Sequence, residues 1–151
     1  MPHERPIIFS GPMVRAILEG RKTQTRRLLY GQDVPAGAKP VFRENDGLWA
    51  WCRDELCRGV LDAVAPPFRC RYGVSGERLW VRETHKFIVL EGGRSIKVEY
   101  AAGGFIEVPS PSPCECEPKC RPSIYMPRWA CRLVLEVIAV RVERLQEISE
   151  V

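Results

Sequence analysis

The most chemically suggestive part of the sequence is the basic segment, GRKTQTRR, at residues 20–27. Four of its eight residues are cationic, and its two threonines and its glutamine can donate and accept hydrogen bonds. This mixture suits a phosphate group or a polarised carbonyl, because cations balance negative charge and short polar groups orient a ligand. Its cationic members are Arg21, Lys22, Arg26 and Arg27. The simpler alternative is a solvated basic turn.

A second group of side chains alternates arginines with flat rings near residues 121–132. Its members are Arg121, Tyr125, Arg128, Trp129 and Arg132. Nucleobases stack on aromatic faces and guanidinium groups hold phosphates, so the mixture is typical of a surface that binds single-stranded RNA. We therefore predict RNA binding by Tyr125, Arg128 and Trp129, together with Arg21, Arg26 and Arg27. The alternative is that Trp129 belongs to the core and the arginines are solvated.

A third group consists of cysteines, of which the chain has seven. Cys114, Cys116 and Cys120 lie within seven residues of one another in a proline-rich loop. Zinc takes four ligands, usually thiolate or imidazole, and it can order a loop that has few apolar residues to bury. We therefore predict a structural Zn²⁺ with Cys131 as the fourth ligand. Cys52, Cys57 and Cys70 are alternatives for that position, and an exposed reduced loop is the alternative to a metal.

Short elements must position these groups. Residues 6–9 are an apolar run typical of a strand, and Ser10-Gly11-Pro12 is a typical helix start. An apolar stripe at helical spacing follows, and Gly20 ends the helix. The basic segment therefore begins at a helix C-terminus, where the negative end of the helix dipole favours Arg21 and Lys22.

The rest of the chain predicts strands with few helices. The predicted elements are a loop with a short hairpin at 31–50, a short helix at 54–64, a strand at 79–84, a hairpin joining 86–90 to 95–100, an inserted loop at 101–122, a long strand at 131–145 and a helix that starts at 146. We expect the long strand to be buried on both faces at first and on one face later. This order predicts an α+β fold with a curved or barrel-like antiparallel sheet.

The bulk properties narrow the class of protein. A chain of 151 residues is typical of a single domain, and its net charge of +4 is only mildly basic. No run of 18 apolar residues predicts a transmembrane helix, and residues 1–12 do not have the pattern of a signal peptide. We therefore expect a cytoplasmic protein without a membrane partner, in which the cysteines are thiols or metal ligands.

Three motifs together resemble the ASCH domain of the PUA-like superfamily. The first is Gly20, Lys22, Thr25 and Arg27; the second is GERLWVRET at residues 76–84; and the third, at residues 121–149, resembles phage and prophage members. The resemblance covers about half of the chain. It implies one ASCH domain over residues 1–151, with loop insertions near 31–50 and 101–122. The implied fold is a small antiparallel β-barrel with flanking short helices and a basic cleft for RNA or a nucleoside.

The resemblance also implies chemistry for particular residues. Some members hydrolyse N4-acetylcytidine and others cleave RNA, and in the amidohydrolases a lysine and a threonine at the positions of Lys22 and Thr25 act with a glutamate. That glutamate follows the last long strand, where Glu147 and Glu150 do not match it clearly. Glu83, on the second motif, is a different candidate acid, and its alternative is half of a surface ion pair beside Arg82.

Two classes of function therefore remain open. One is an RNA- or nucleoside-binding domain, either an amidohydrolase or ribonuclease acting on RNA or a modified cytidine, or a binding module without catalysis. The other is a phage accessory or assembly protein with a zinc-stabilised cysteine-rich loop. Salt dependence separates the two classes, because RNA binding weakens steeply as salt rises.

Overall fold

The computed structural model describes residues 3–29, 35–44, 46–53, 63–90, 94–110 and 119–143. Within these ranges the chain is mostly β, with nine strands and one α-helix. The strands are β1 (Glu4–Ile8), β2 (Lys39–Arg43), β3 (Leu48–Cys52), β4 (Arg78–Arg82), β5 (His85–Val89), β6 (Ser95–Tyr100), β7 (Phe105–Pro109), β8 (Cys120–Arg121) and β9 (Val134–Glu136). The helix is α1 (Gly11–Leu18), and two 3-10 helices cover Ser123–Tyr125 and Arg128–Ala130.

The strands form three open sheets in the described part of the chain. Their orders are β1-β4-β9, β2-β3 and β7-β6-β5-β8. The β1–β4 pair is parallel, whereas the β2–β3, β5–β6, β5–β8 and β6–β7 pairs are antiparallel. The expected predominance of strands with few short helices is thus confirmed, although the β1–β4 pair is parallel where an antiparallel sheet was expected. The α+β class with closure into a PUA-like barrel stays a prediction.

The contacts within the chain divide it into two compact units. The first unit consists of residues 1–26 and 78–135, and the second consists of residues 27–77 and 136–151. The prediction of one domain, based on length and resemblance, stays a prediction beside this division.

The core of the first unit follows from alternation along its strands. Ile7 of β1 lies opposite Val81 of β4, and both are buried because they share the covered face of that parallel pair. In the antiparallel sheet, Val98 and Tyr100 are buried on the face that packs against Met126. The sequence prediction of the strand at 79–84 and of the hairpin at 86–100 is therefore confirmed, apart from the turn at 91–93, which lies outside the described residues.

The second unit has a separate aromatic core. The β2–β3 hairpin buries Trp49 and Trp51, which pack with Ala38 and Phe68. Val140 and Val142 contact the same cluster. The short hairpin expected between residues 31 and 50 is thus observed, and it spans Lys39 to Cys52, two residues beyond the expected range. The helix expected at 54–64 falls mostly on residues 54–62, outside the described ranges.

Two expectations about the second half of the chain are wrong. The segment 101–122, expected to be an inserted loop, contains β7, which pairs with β6 along its whole length, and the two-residue strand β8. Of the long strand expected at 131–145, the structure describes residues 131–143, and within them the regular strand is limited to Val134–Glu136. Ile138 is 83% exposed instead of buried. The strand is short because its neighbour β4 begins only at Arg78. The helix expected from residue 146 lies outside the described residues.

Across the described ranges, no helix has the length and apolar character needed to span a bilayer.

Candidate functional site

The basic segment leaves helix α1 through a Schellman turn. Gly20 has a positive φ of 72°, and its N–H donates to the Ile17 carbonyl at 3.0 Å. The Arg21 N–H donates to the Ala16 carbonyl at 2.8 Å. These bonds satisfy carbonyls at the helix end and fix the direction in which Lys22 leaves it. The sequence prediction that Gly20 ends the helix is confirmed.

Lys22 and Thr25 differ in how firmly they are held. The Lys22 ammonium donates to the Gln24 carbonyl at 2.6 Å, and it lies 6.0 Å from the centroid of the buried Phe9 ring. Thr25 is exposed. A lysine that donates to a carbonyl is positioned as a cation, whereas a threonine nucleophile needs a neighbour that accepts its proton. This geometry favours a binding role for Lys22.

The arginines of the basic segment are all exposed. Arg21 forms an ion pair with Glu19, which is also exposed. Arg27 belongs to the second unit, where its guanidinium lies 5.8 Å from the Tyr72 ring. Their predicted role in RNA binding, and that of Arg26, stays a prediction.

Glu83 follows β4 and is 2% exposed, although it is ionisable. Its two carboxylate oxygens accept from the Arg132 guanidinium, Oε1 from Nε at 3.0 Å and Oε2 from Nη2 at 2.7 Å. The sequence alternative of an ion pair is therefore observed, but the pair is buried and its cation is Arg132. Arg82 instead donates to the Ile124 carbonyl. Both carboxylate oxygens of the candidate acid are occupied.

The Arg132 guanidinium is fixed on two further sides. It lies 4.0 Å from the centroid of the Tyr100 ring, a cation–π distance. The Tyr100 hydroxyl donates to the Ala130 carbonyl at 2.6 Å, and burial raises the pKa of Tyr100. Gly104 has a φ of 79°, and a Cβ there would lie 2.8 Å from Arg132 Nη1. Glycine is thus required both by its backbone conformation and by the approach of Arg132.

His85 lies beside this pair and is 1% exposed. Its Nδ1 donates to the Glu83 carbonyl at 3.0 Å, which leaves Nε2 as an acceptor. Nε2 is buried and has no hydrogen-bond partner in the part of the chain that the structure describes. Burial lowers the pKa of His85, because the charged imidazolium loses its hydration. The structure therefore holds His85 neutral near pH 7.

The His85 environment predicts a loss of stability in mild acid. The unfolded chain takes up a proton near pH 6.5, whereas the folded chain resists it, so stability is present above that pH and falls as pH drops. The slope is at most about 1.4 kcal/mol per pH unit. We expect urea unfolding between pH 7 and pH 5 to show this slope in the wild type.

The matched variants are His85→Asn, whose amide keeps a donor near the Nδ1 position, and His3→Asn at an exposed histidine. His85→Asn is expected to flatten the pH dependence, and His3→Asn to leave it unchanged. An equal slope in the wild type and His85→Asn would assign the acid sensitivity to other groups.

A first group of two arginines and one ring is centred on Trp80 in the first unit. The guanidinium groups of Arg82 and Arg128 lie 5.3 and 5.9 Å from the Trp80 ring. Arg128 Nε also donates to Glu4 at 2.9 Å, and this hydrogen bond lowers the pKa of Glu4. Glu4 therefore balances part of the positive charge here.

A second group of rings and arginines lies on the antiparallel sheet, where the Phe87 ring borders the His85 ring at a centroid distance of 4.6 Å. The Trp129 and Phe87 rings stack with centroids 5.1 Å apart and an interplanar angle of 25°. The Arg121 guanidinium lies 5.9 Å from the Phe87 ring. Tyr125 is 68% exposed and Trp129 is 39% exposed, so neither ring belongs to the core. The interpretation of Trp129 as a core residue is wrong.

We call these residues the arginine–aromatic surface. Its members are Trp80, Arg82, Phe87, Arg121, Tyr125, Arg128 and Trp129. The 121–129 segment was identified from sequence, but the contributions of β4 and β5 were missed. The available signal was the spacing of Trp80 and Arg82, because residues two apart share one face of a strand.

The predicted zinc ligands are only partly described. Cys114 and Cys116 lie outside the described residues, and Cys120 is an exposed free thiol. Cys131 donates to the Leu133 carbonyl at 3.1 Å, and burial raises the pKa of its thiol. No metal-binding cluster occurs among the described side chains, and the zinc site stays a prediction that metal analysis can test. The expectation of thiols or metal ligands is wrong for Cys52, which is disulfide-bonded.

No protein-family model, curated protein or solved structure matches the chain. Membership of the ASCH family therefore rests on the three sequence motifs and stays a prediction.

Proposed function

We propose that the chain is an ASCH-type, PUA-like domain that binds single-stranded RNA or a nucleoside through its arginine–aromatic surface. The observation that carries this proposal is a pair of contact groups: Arg82 and Arg128 lie beside the Trp80 ring, and Arg121 lies beside the stacked Phe87–Trp129 pair. The chain links the two groups at the adjacent residues Arg128 and Trp129. Exposed rings offer faces for bases, and guanidinium groups beside them offer donors to phosphates.

The charge and exposure of this surface fit an unpaired strand better than a duplex. Tyr125 and Trp129 protrude on the short 3-10 helices instead of forming a helix or ribbon that enters a groove. Stacking on such rings needs bases that are not already paired. Because every base has a π-face, this part of the surface supports binding with little sequence preference.

A hydrolytic function has less support than binding. Glu83 is occupied by Arg132, and Lys22 donates to a carbonyl beside the exposed Thr25. We therefore propose the non-catalytic form of the RNA- or nucleoside-binding reading. The accessory or assembly function with a zinc-stabilised loop depends on cysteines outside the described residues and remains the alternative.

Removal of one exposed ring should weaken RNA binding. Tyr125→Ala is expected to lower the affinity for a labelled 12-nucleotide single-stranded RNA by about 5–150-fold, because stacking contributes about 1–3 kcal/mol per base. Fluorescence anisotropy at several salt concentrations measures both affinity and salt slope. The logarithm of the association constant should fall with the logarithm of the salt concentration, with a slope of about −0.7 for each phosphate that the arginines neutralise.

Phe105→Ala is the matched control. Phe105 is 56% exposed, and the Lys97 Nζ lies 4.4 Å from the centroid of its ring. It lies on β7, at the opposite edge of the sheet from β8. Its replacement should leave RNA affinity unchanged. Equal losses from both variants would indicate diffuse binding, and salt-independent binding of a protein ligand in place of RNA would favour the assembly function.

A further inference from the structure

We infer that Arg132 recognises a carbonyl oxygen of a nucleobase through Nη1 and that Glu83 positions it for this contact. The inference rests on the proposed RNA binding and names the group that gives it base preference. The starting observation is that the fold orients the Arg132 guanidinium but leaves its Nη1 donor group without an acceptor in the described residues. Nε and Nη2 bind Glu83, whereas Nη1 makes no hydrogen bond within the described ranges.

Nη1 borders an exposed residue, Gly104. The Arg132 side chain keeps 14% of its surface exposed, and the exposed Gly104 borders Nη1 so closely that a Cβ would approach to 2.8 Å. A larger residue would cover this donor. The absence of a side chain at Gly104 therefore leaves room beside Nη1 for a ligand atom.

The guanidinium is oriented before a ligand arrives. Its bidentate contacts to Glu83 fix its plane, and the Tyr100 ring at 4.0 Å covers one face. Because a flexible arginine loses rotamer freedom on binding, a fixed one loses less and selects its acceptor more strictly. Glu83 thus acts through Arg132 and need not touch the ligand.

The charge of the pair decides the class of acceptor. Glu83 balances Arg132, so the pair has no net charge to offer a phosphate, and its carboxylate repels a second anion nearby. A carbonyl oxygen carries only partial charge and accepts from Nη1 without that repulsion. Uracil, cytosine and guanine have such an oxygen, whereas adenine has none. The geometry therefore predicts discrimination against adenine.

Binding of oligo(U) and oligo(A) of 12 nucleotides tests this inference by anisotropy. The wild type should prefer oligo(U) by about threefold to tenfold, the range expected from one hydrogen bond. Arg132→Lys keeps the charge but loses the planar fork, so it should abolish the preference and leave the salt slope unchanged. Glu83→Gln should reduce the preference, and Arg94→Lys, at an exposed arginine of the same unit, should retain it.

The outcomes separate this inference from the proposed function. Failure of the wild type to bind either RNA would overturn both. Equal binding of the two RNAs by the wild type, or a preference for oligo(U) that survives in Arg132→Lys, would overturn the carbonyl contact alone and leave RNA binding intact. If the variants do not fold, ¹⁵N NMR of the wild-type arginine side chains decides: oligo(U), but not oligo(A), should shift the Arg132 guanidinium signal.

Discussion

Arg132→Met is expected to lower the free energy of unfolding by about 3–5 kcal/mol at pH 7, the usual cost of removing one partner from a buried ion pair. The reason is that Glu83 is 2% exposed and both of its oxygens accept from Arg132. Methionine fills much of the arginine volume but donates no hydrogen bond, so the carboxylate would remain buried without its partner. Urea unfolding of the two proteins measures the difference.

A double variant separates the lost pair from lost packing. Glu83→Leu with Arg132→Met removes both charges together, and such apolar replacements are often close to neutral, so most of the lost stability should return. Arg94→Met, at an exposed arginine of the same unit, should cost little. A double variant as unstable as Arg132→Met would show that packing around Tyr100, and not the pair, accounts for the loss.

The wild-type protein is expected to hydrolyse N4-acetylcytidine roughly 10³–10⁶-fold more slowly than an enzyme in which the threonine, the lysine and the glutamate are all in place. The loss is large because these three catalytic groups act together. Acyl transfer by a threonine needs a base for its proton and an acid for the leaving amine. Lys22 donates to the Gln24 carbonyl, and Glu83 is held by Arg132. Neither is arranged for these roles around Thr25.

Single-turnover hydrolysis with protein in excess measures this rate. The wild type, Lys22→Ala and Thr25→Ala should be indistinguishable, and Thr23→Ala provides a matched control at an exposed threonine of the same segment. Rapid wild-type turnover that Lys22→Ala and Thr25→Ala abolish would overturn the non-catalytic proposal. If Glu83→Gln abolished it as well, Glu83 would be the acid.

Local patterns in the sequence predicted local structure well. The Schellman turn at Gly20 and the β5–β6 hairpin depend on residues close together along the chain, and both are observed. β7 was missed because the prolines and glycines around Phe105–Pro109 are typical of a loop, and its pairing with β6 outweighs that preference. The long strand expected at 131–145 shows that pairing can also be missing where the local pattern favours a strand. The apolar alternation continues beyond Glu136, but β4, the neighbouring strand, has no residues to pair with it there.

The candidate site was harder to predict than the strands. Glu83 and Arg132 were both identified as individual residues, but nothing local shows that they meet, because 49 positions separate them. His85 and Gly104 carried no signal, since their roles depend on burial and on the approach of the Arg132 side chain. The 121–129 segment was recognisable because its rings and cations are adjacent in sequence.

The parallel pairing of β1 with β4 has a consequence for how the chain folds. Glu4 pairs with Arg78, and β4 then takes β9 on its other side, so this sheet joins strands that are far apart in sequence. Closing such large loops costs entropy before the contacts form, which slows folding of high-contact-order topologies. During synthesis, strand β1 and its apolar residues remain without their partner strand until the ribosome has made β4. We therefore expect the nascent chain to pass through a stage in which this strand is open to chaperones and to misassembly.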